Sequence, residues 1–186
     1  MDDQPDWGLA PGAHQPYAVH NPKTALKPED LATTFKIVVY DGRRSLPDIG
    51  VLRGTTTLVV SAKLRSIMEK YEPGVHFFVP VEVSLRDGET LGGYYLFKIG
   101  RFTNDAIDAA NSTVSPVRIA GQVRLYNEKR FPPDLMWKAS MVEDRHIWSD
   151  LLMPSVLMVS DDVFADIVEQ GISGYVSKES RINTAV

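Results

Sequence analysis

The feature that most constrains the fold is a strand, helix and strand pattern near the end of the 186-residue chain. Val156–Val159 is a short apolar run, which predicts a buried strand in a sheet covered on both faces. Ser160 offers a helix N-cap oxygen, and the helix that follows is expected to end at Gly171. Ile172–Val176 is expected to form the second short strand.

An earlier segment has the same layout. Leu58–Ser61 is an apolar strand that ends in a capping serine, and an apolar helix face follows until Pro73 and Gly74. The two Leu-x-Val-Ser strings are compatible with internal duplication and with convergence, since strand-to-helix turns recruit serine on physical grounds. We interpret Ser61 and Ser160 as caps, because neither has the flanking glycines of a nucleophile elbow.

The segments between these two units predict strands. Val75–Leu85 and Gly93–Ile99 are expected to pair as an antiparallel hairpin, and Val114–Leu125 predicts one or two further strands. Pro80 cannot donate to a sheet ladder and therefore indicates an edge or a bulge. The predicted fold class is α+β, with a mostly antiparallel sheet and a few short helices.

Residues 1–33 differ from the rest of the chain. They contain five prolines and isolated apolar side chains, including Trp7 and Tyr17, so they cannot form a regular helix or a central strand. We predict an extended proline-rich arm that packs on the domain or is partly disordered. Residues 34–186 are predicted to form a single α+β domain, which is long enough to bury a core.

Composition narrows the function classes. The formal net charge of -4 argues against a nucleic-acid partner, which would need a basic face. The absence of cysteine excludes disulfides, thiolate metal ligands and a thiol nucleophile, and is compatible with a reducing cytoplasm. Because no signal peptide and no membrane-spanning apolar run is present, we expect a cytoplasmic protein with no membrane partner.

The sequence predicts no catalytic, cofactor-binding or metal site. We interpret the four histidines, including His76 and His146, as structural or surface side chains. Asp105 and Asp108 are three residues apart and could share a helix face, but capping or solvated roles are favoured over a cation site. An enzyme of hydrolase type would need Asp105, Asp108 and His146 to converge in three dimensions.

Four aromatic and thioether side chains have two possible roles. Trp137 and Trp148, with Phe131 and Met136, could form an exposed patch for a partner or pack in a core. We favour the core, because it is the commoner environment of large aromatic side chains.

Several segments resemble a known family. Tyr94–Ser112 is similar to the "YYLLNV…DAID…S" stretch of immunity protein family 11 of bacterial polymorphic toxin systems, first catalogued as a domain of unknown function. His146–Trp148 and Val156–Gly174 resemble the "HIFR…ILVSEELKEALEKAGLTG" close of that family, and Leu58–Ser61 and Phe77–Val81 resemble its earlier segments. The resemblance covers roughly residues 35–175.

The resemblance implies a non-catalytic protein that neutralises one cognate toxin in the cytoplasm of a toxin-producing bacterium. Such a protein acts through interface complementarity, with a few buried anchors and electrostatic fit. The residues leave two alternatives open: the enzyme with a site around Asp105, Asp108 and His146, and a structural or regulatory module. In the latter the N-terminal arm would dock onto another copy and give a homo-oligomer.

Overall fold

The fold is sheet-rich, and the two α-helices of its described part confirm the α+β class. The computed structural model describes residues 6–10, 24, 26 and 34–184. These residues form two compact units, one made of the chain up to Gly100 with Asp162–Tyr175, the other of Arg101–Asp161 and the described residues from Val176. The single domain over residues 34–186 stays a prediction, because such a division does not establish whether either unit folds alone.

One six-stranded sheet organises the first unit. Its strands lie in the order β1-β2-β5-β6-β4-β3, and adjacent strands are antiparallel except β2 and β5, which are parallel. The antiparallel pairing of β5 with β6 confirms the predicted hairpin. The strands are β1 (Trp7–Leu9), β2 (Phe35–Val39), β3 (Ile49–Val51), β4 (Leu58–Ser61), β5 (Phe77–Ser84) and β6 (Thr90–Lys98).

The start of one helix and the end of the other have a local cause. Helix α1 (Ala62–Tyr71) starts after Ser61, whose Oγ accepts a hydrogen bond from the Leu64 amide at 3.2 Å, so the predicted cap is confirmed. Helix α2 (Asp161–Glu169) ends in a Schellman motif. Gly171 has a φ of 62°, and the Ile172 amide donates back to the Ile167 carbonyl at 3.0 Å. The predicted stop at Gly171 is therefore confirmed.

One hydrophobic cluster of the first unit is built around the edge strand β1 and its neighbours in the six-stranded sheet. Trp7 from the edge strand β1 is fully buried there, and its Nε1 donates to the Val51 carbonyl at 2.9 Å. The alternating residues Val79, Val81 and Val83 of β5 contribute to the same cluster, because alternate side chains of a strand share one face. The buried members are Trp7, Ile37, Val39, Leu52, Val59, Val79, Val81, Val83, Leu85 and Leu96.

The second unit contains three small sheets within its described residues. Strands β12, β11 and β7 form one sheet in that order, β8 and β9 form an antiparallel hairpin, and β10 pairs in parallel with β13. Short 3-10 turns lie at Ala109–Asn111 and Ala139–Met141. The strands are β7 (Phe102–Thr103), β8 (Val114–Ile119), β9 (Gln122–Glu128), β10 (Met136–Lys138), β11 (Ile147–Asp150), β12 (Met153–Val159) and β13 (Arg181–Asn183).

The two tryptophans of the second unit pack in its core, as predicted. Trp137 and Trp148 are buried and meet edge to face, with ring centroids 5.8 Å apart and an interplanar angle of 84°. Phe131 does not join them, since more than half of its surface is exposed, and Met136 is half-buried. The aromatic prediction is therefore correct for the tryptophans and wrong for Phe131.

Three sequence-based expectations need correction. Val156–Val159 belongs to β12, the partly exposed edge strand of a three-stranded sheet, and is not a buried central strand. Ile172–Val176 forms no strand, and several sheets replace the one predicted. An apolar run alone cannot distinguish these cases, because edge and central strands use the same β-branched residues.

The proline predictions are resolved by strand register. Pro80 lies in β5, inside the sheet, but β2 pairs with β5 only from Val81 onward, and the ladder with β6 shifts register between Val81 and Val83. Pro80 thus lies beside this irregularity, at a position of β5 that has no partner on β2.

Most of the predicted arm, including Tyr17, lies outside the described residues. The structure describes only β1 with the residue on either side of it, together with Thr24 and Leu26.

Candidate functional site

A fully buried carboxylate, Asp150, organises the polar centre of the second unit. It lies at the end of β11 and accepts hydrogen bonds from the Thr103 hydroxyl, the Ala106 amide and the Leu152 amide, each at 2.8 Å. The Asp105 amide is a longer fourth donor at 3.4 Å. A buried carboxylate is tolerated because these donors replace the water it has lost. Asp150 therefore fixes the segment that carries Asp105 to Asp108.

Asp105 is held in an unusual conformation next to this network. Its φ of 63° places a non-glycine residue in the left-handed region. The Lys138 ammonium donates to the Asp105 carbonyl at 2.7 Å and lies 3.7 Å from its carboxylate Oδ2. The side chain is 54% exposed, so the carboxylate is positioned at the surface by contacts on its inner side. These contacts fix the direction of the Asp105 carboxylate but leave it open to solvent.

Tyr126 completes the cluster. Its hydroxyl donates to Asp105 Oδ1 at 2.9 Å. Burial, followed by this hydrogen bond and the negative charge of Asp105, raises the pKa of Tyr126 to about 12. The phenol therefore stays protonated near neutral pH and acts as a hydrogen-bond donor. A phenolate nucleophile is not what this arrangement favours.

The three residues of the enzyme hypothesis have different hydrogen-bond partners. Asp105 accepts from Tyr126, Asp108 Oδ2 accepts from the Asn111 amide group at 2.8 Å, and His146 Nδ1 lies 3.0 Å from Ser160 Oγ. These contacts give no support to convergence on one reacting atom. The Asp108 side chain also makes no capping hydrogen bond to the 3-10 turn that follows it.

A second buried pair lies in the first unit and was missed from sequence. Glu72 and His76 are both buried, with Oε2 and Nε2 2.7 Å apart. The Gly100 amide donates to His76 Nδ1 at 3.2 Å, so the ring proton lies on Nε2 and points to Glu72. The signal was present, because the two residues are four apart at the end of a helix. The sequence interpretation of His76 as a structural or surface side chain did not include this buried carboxylate partner.

No group of three or more His, Asp or Glu side chains that could hold a metal ion occurs within residues 6–10 and 34–184.

Two further polar side chains of the first unit are buried. Lys98 lies near the start of β5, and its burial away from water lowers its pKa. Ser61 donates to Asp48 Oδ1 at 2.7 Å while it caps α1, so its hydroxyl acts both as a donor and as an acceptor inside the fold.

Much of the β8–β9 hairpin of the second unit is exposed. Ala120 and Gly121 form its turn with φ values of 49° and 79°, the pair of positive angles that a two-residue type I′ turn needs. Ile119 is 60% exposed and Leu125 38% exposed. The hairpin therefore presents aliphatic side chains to solvent, while Tyr126 at its base belongs to the polar cluster.

These features define an α+β protein whose buried polar residues shape the chain and whose hairpin is open to contact. Residues 3–180 match the immunity protein family (Imm11), and the chain belongs to this family. The family predicted from the sequence segments is thereby confirmed. No curated protein matches the chain. Among the described helices, neither is long and apolar enough to cross a membrane.

Proposed function

We propose that this protein is a non-catalytic immunity protein that binds and neutralises a cognate toxin domain of an interbacterial competition system. The observation that carries the proposal is membership of the immunity protein family over nearly the whole chain. The polar clusters are consistent with it, because Asp150, Ser61 and Glu72 are each satisfied by neighbours inside the fold. In this proposal the protein acts in the cytoplasm, with the toxin as its partner and without nucleic acid or membrane.

Neutralisation by binding has a stoichiometric signature. A protein that occludes a toxin must be present in at least equal amount, whereas an enzyme that modifies the toxin is needed only in trace. Titration of the chain against the toxin domain encoded by the neighbouring gene should abolish toxin activity at one equivalent. Full inhibition at a small fraction of an equivalent would replace binding by catalysis as the mechanism.

Protection in cells is the matching biological test. Co-expression with the neighbouring toxin gene should restore the growth of a susceptible bacterial host and yield a complex that co-purifies. An unrelated toxin of similar potency is the control, since a cognate inhibitor should not protect against it. If neither rescue nor a complex is obtained, the proposed function is wrong.

A further inference from the structure

The outer half of the β8–β9 hairpin combines basic and aliphatic side chains. Arg118 and Arg124 are exposed there, beside the exposed Ile119 and Leu125. From Val114 to Asn127 the sequence contains no acidic residue, although the whole chain has a formal net charge of -4. This segment is therefore a local positive surface on a negative protein.

The two arginines are presented in a defined way. The guanidinium of Arg118 donates to the Gly121 carbonyl at 3.1 Å, which ties it to the turn. Arg124 lies where the ladder shifts register, since Val117 pairs with Leu125 but Arg118 pairs with Val123. Such a bulge turns the side chain of the extra residue away from the regular ladder. Within the described part of the chain, neither arginine forms an ion pair with a carboxylate.

The hairpin edge is built against strand addition. Pro116 pairs with Tyr126, whose amide donates away from β8 to the Leu152 carbonyl at 2.6 Å. This is consequently a non-hydrogen-bonded pair, and the Pro116 nitrogen also faces outward. Since proline has no N–H there, the outer edge lacks a donor that an added strand would need. This edge therefore favours recognition through side chains.

From these observations we propose that Ile119, Arg124 and Leu125 form the surface that contacts the cognate toxin, and that it fits an acidic protein surface with an apolar centre. Arg118 adds positive charge to the same hairpin but projects from the opposite face to Ile119, because successive side chains of a strand alternate. This inference rests on the proposed function. Arginine is enriched in binding hot spots, and complementary charge accelerates association. The aliphatic residues disfavour single-stranded nucleic acid as the occupant, because they cannot stack with bases as aromatic rings do.

The test measures the affinity of purified chain for the toxin domain of the neighbouring gene. Arg124→Glu and the double variant Ile119→Ala with Leu125→Ala should each weaken binding by about 30-fold or more, the usual effect at a hot spot. The wild-type affinity should also fall as salt rises, and this dependence should be smaller in Arg124→Glu. Lys63→Glu and Val168→Ala are matched controls, since both residues are exposed on helices of the first unit. They should change affinity by less than about twofold.

The possible outcomes separate the two proposals. If the wild-type chain forms no complex, the proposed function fails and this surface fails with it. If the wild-type chain binds but the hairpin variants bind equally well, only the surface assignment is overturned. Thermal unfolding of each variant checks its fold, and Arg124→Gln replaces Arg124→Glu if the latter does not fold.

Two further measurements identify other occupants. Binding of a random-sequence duplex DNA or RNA that is lost in Arg124→Glu, with toxin binding retained, would assign the surface to nucleic acid. A hairpin-dependent change in the mass of the free protein by light scattering, again with toxin binding retained, would assign it to a second copy of the chain. Either result overturns the proposal.

Discussion

Replacement of Asp150 tests whether the buried carboxylate holds the second unit together. Asp150→Ala leaves the amides of Ala106 and Leu152 without their acceptor, which each bonds at 2.8 Å, and leaves the Thr103 hydroxyl with only the longer bond to the Ser149 carbonyl at 3.3 Å. An orphaned buried donor costs about 1–3 kcal/mol, and water entering the cavity recovers part of the loss. We therefore expect the free energy of unfolding to fall by about 3–5 kcal/mol, a large share of a typical total of about 5–15 kcal/mol.

The amide variant should not rescue this loss. Asp150 Oδ2 accepts from the Thr103 hydroxyl and the Ala106 amide, whereas Oδ1 accepts from the Leu152 amide. Asparagine keeps one carbonyl oxygen and places an NH₂ group against donors on the other side. Asp150→Asn should therefore destabilise by about 2–4 kcal/mol, because it both loses acceptors and opposes donors.

Urea unfolding followed by tryptophan fluorescence measures the loss, and hydrogen exchange at the Ala106 and Leu152 amides localises it. Asp144→Ala is the matched control, because Asp144 is an exposed aspartate of the same unit and should change stability by less than about 0.5 kcal/mol. A loss below about 1 kcal/mol in Asp150→Ala, with unchanged exchange at both amides, would refute the role given to this carboxylate.

Three other predictions follow from local geometry. A Cβ at Gly100 would lie 1.8 Å from the Val75 carbonyl oxygen, so Gly100→Ala should cost at least about 3 kcal/mol in chemical unfolding, whereas Gly92→Ala, with nothing within 4 Å, should cost far less. Ser61→Ala removes the α1 cap and should cost about 1–2 kcal/mol, measured in the same way. The pKa of Tyr126 is about 12 in the folded protein and 10.0 for the free phenol. The protonated phenol therefore contributes its full share to the free energy of unfolding below pH 10.0, and that contribution is lost as the pH rises through about 12. Tyr126→Phe should remove that loss in an alkaline unfolding series, and the phenolate absorbance of the two proteins locates the titration.

The parts of the fold that sequence predicts are those with a local cause. The β5–β6 hairpin follows from alternation, the start of α1 from Ser61, and the end of α2 from Gly171. Strand β1 was not predicted, because three residues among prolines carry no periodic signal. Its position depends on Trp7 pairing with Val39, thirty-two residues later in the sequence. Pairing over such a distance is a property of the assembled sheet.

The candidate site shows the same limit. Asp105 and Asp108 attracted attention as an isolated pair, whereas Asp150 did not, although it is the residue that fixes them. Nothing in the sequence around Asp150 distinguishes a buried acceptor of several hydrogen bonds from a solvated aspartate. The Glu72 and His76 pair could have been found from its spacing of four, since both residues flank the end of a predicted helix. The burial of the pair could not have been found in this way, because it depends on the packing of the folded chain.

The segments that carry the family resemblance serve the interior of the fold. Ala106 and Ile107 are buried, the Asp108 amide donates to the Met136 carbonyl at 2.8 Å, and the Ala106 amide donates to Asp150. Changes in that segment should therefore lower stability before they alter the choice of toxin. Changes at Arg124 should do the opposite, because its side chain is exposed and lies at a bulge. The free energy of unfolding and the affinity for the toxin should be measured for both sets of variants, so that effects on the fold are distinguished from effects on binding. If Arg124 variants lose stability in proportion to their loss of affinity, the weaker binding is explained by damage to the fold and Arg124 is not a contact residue.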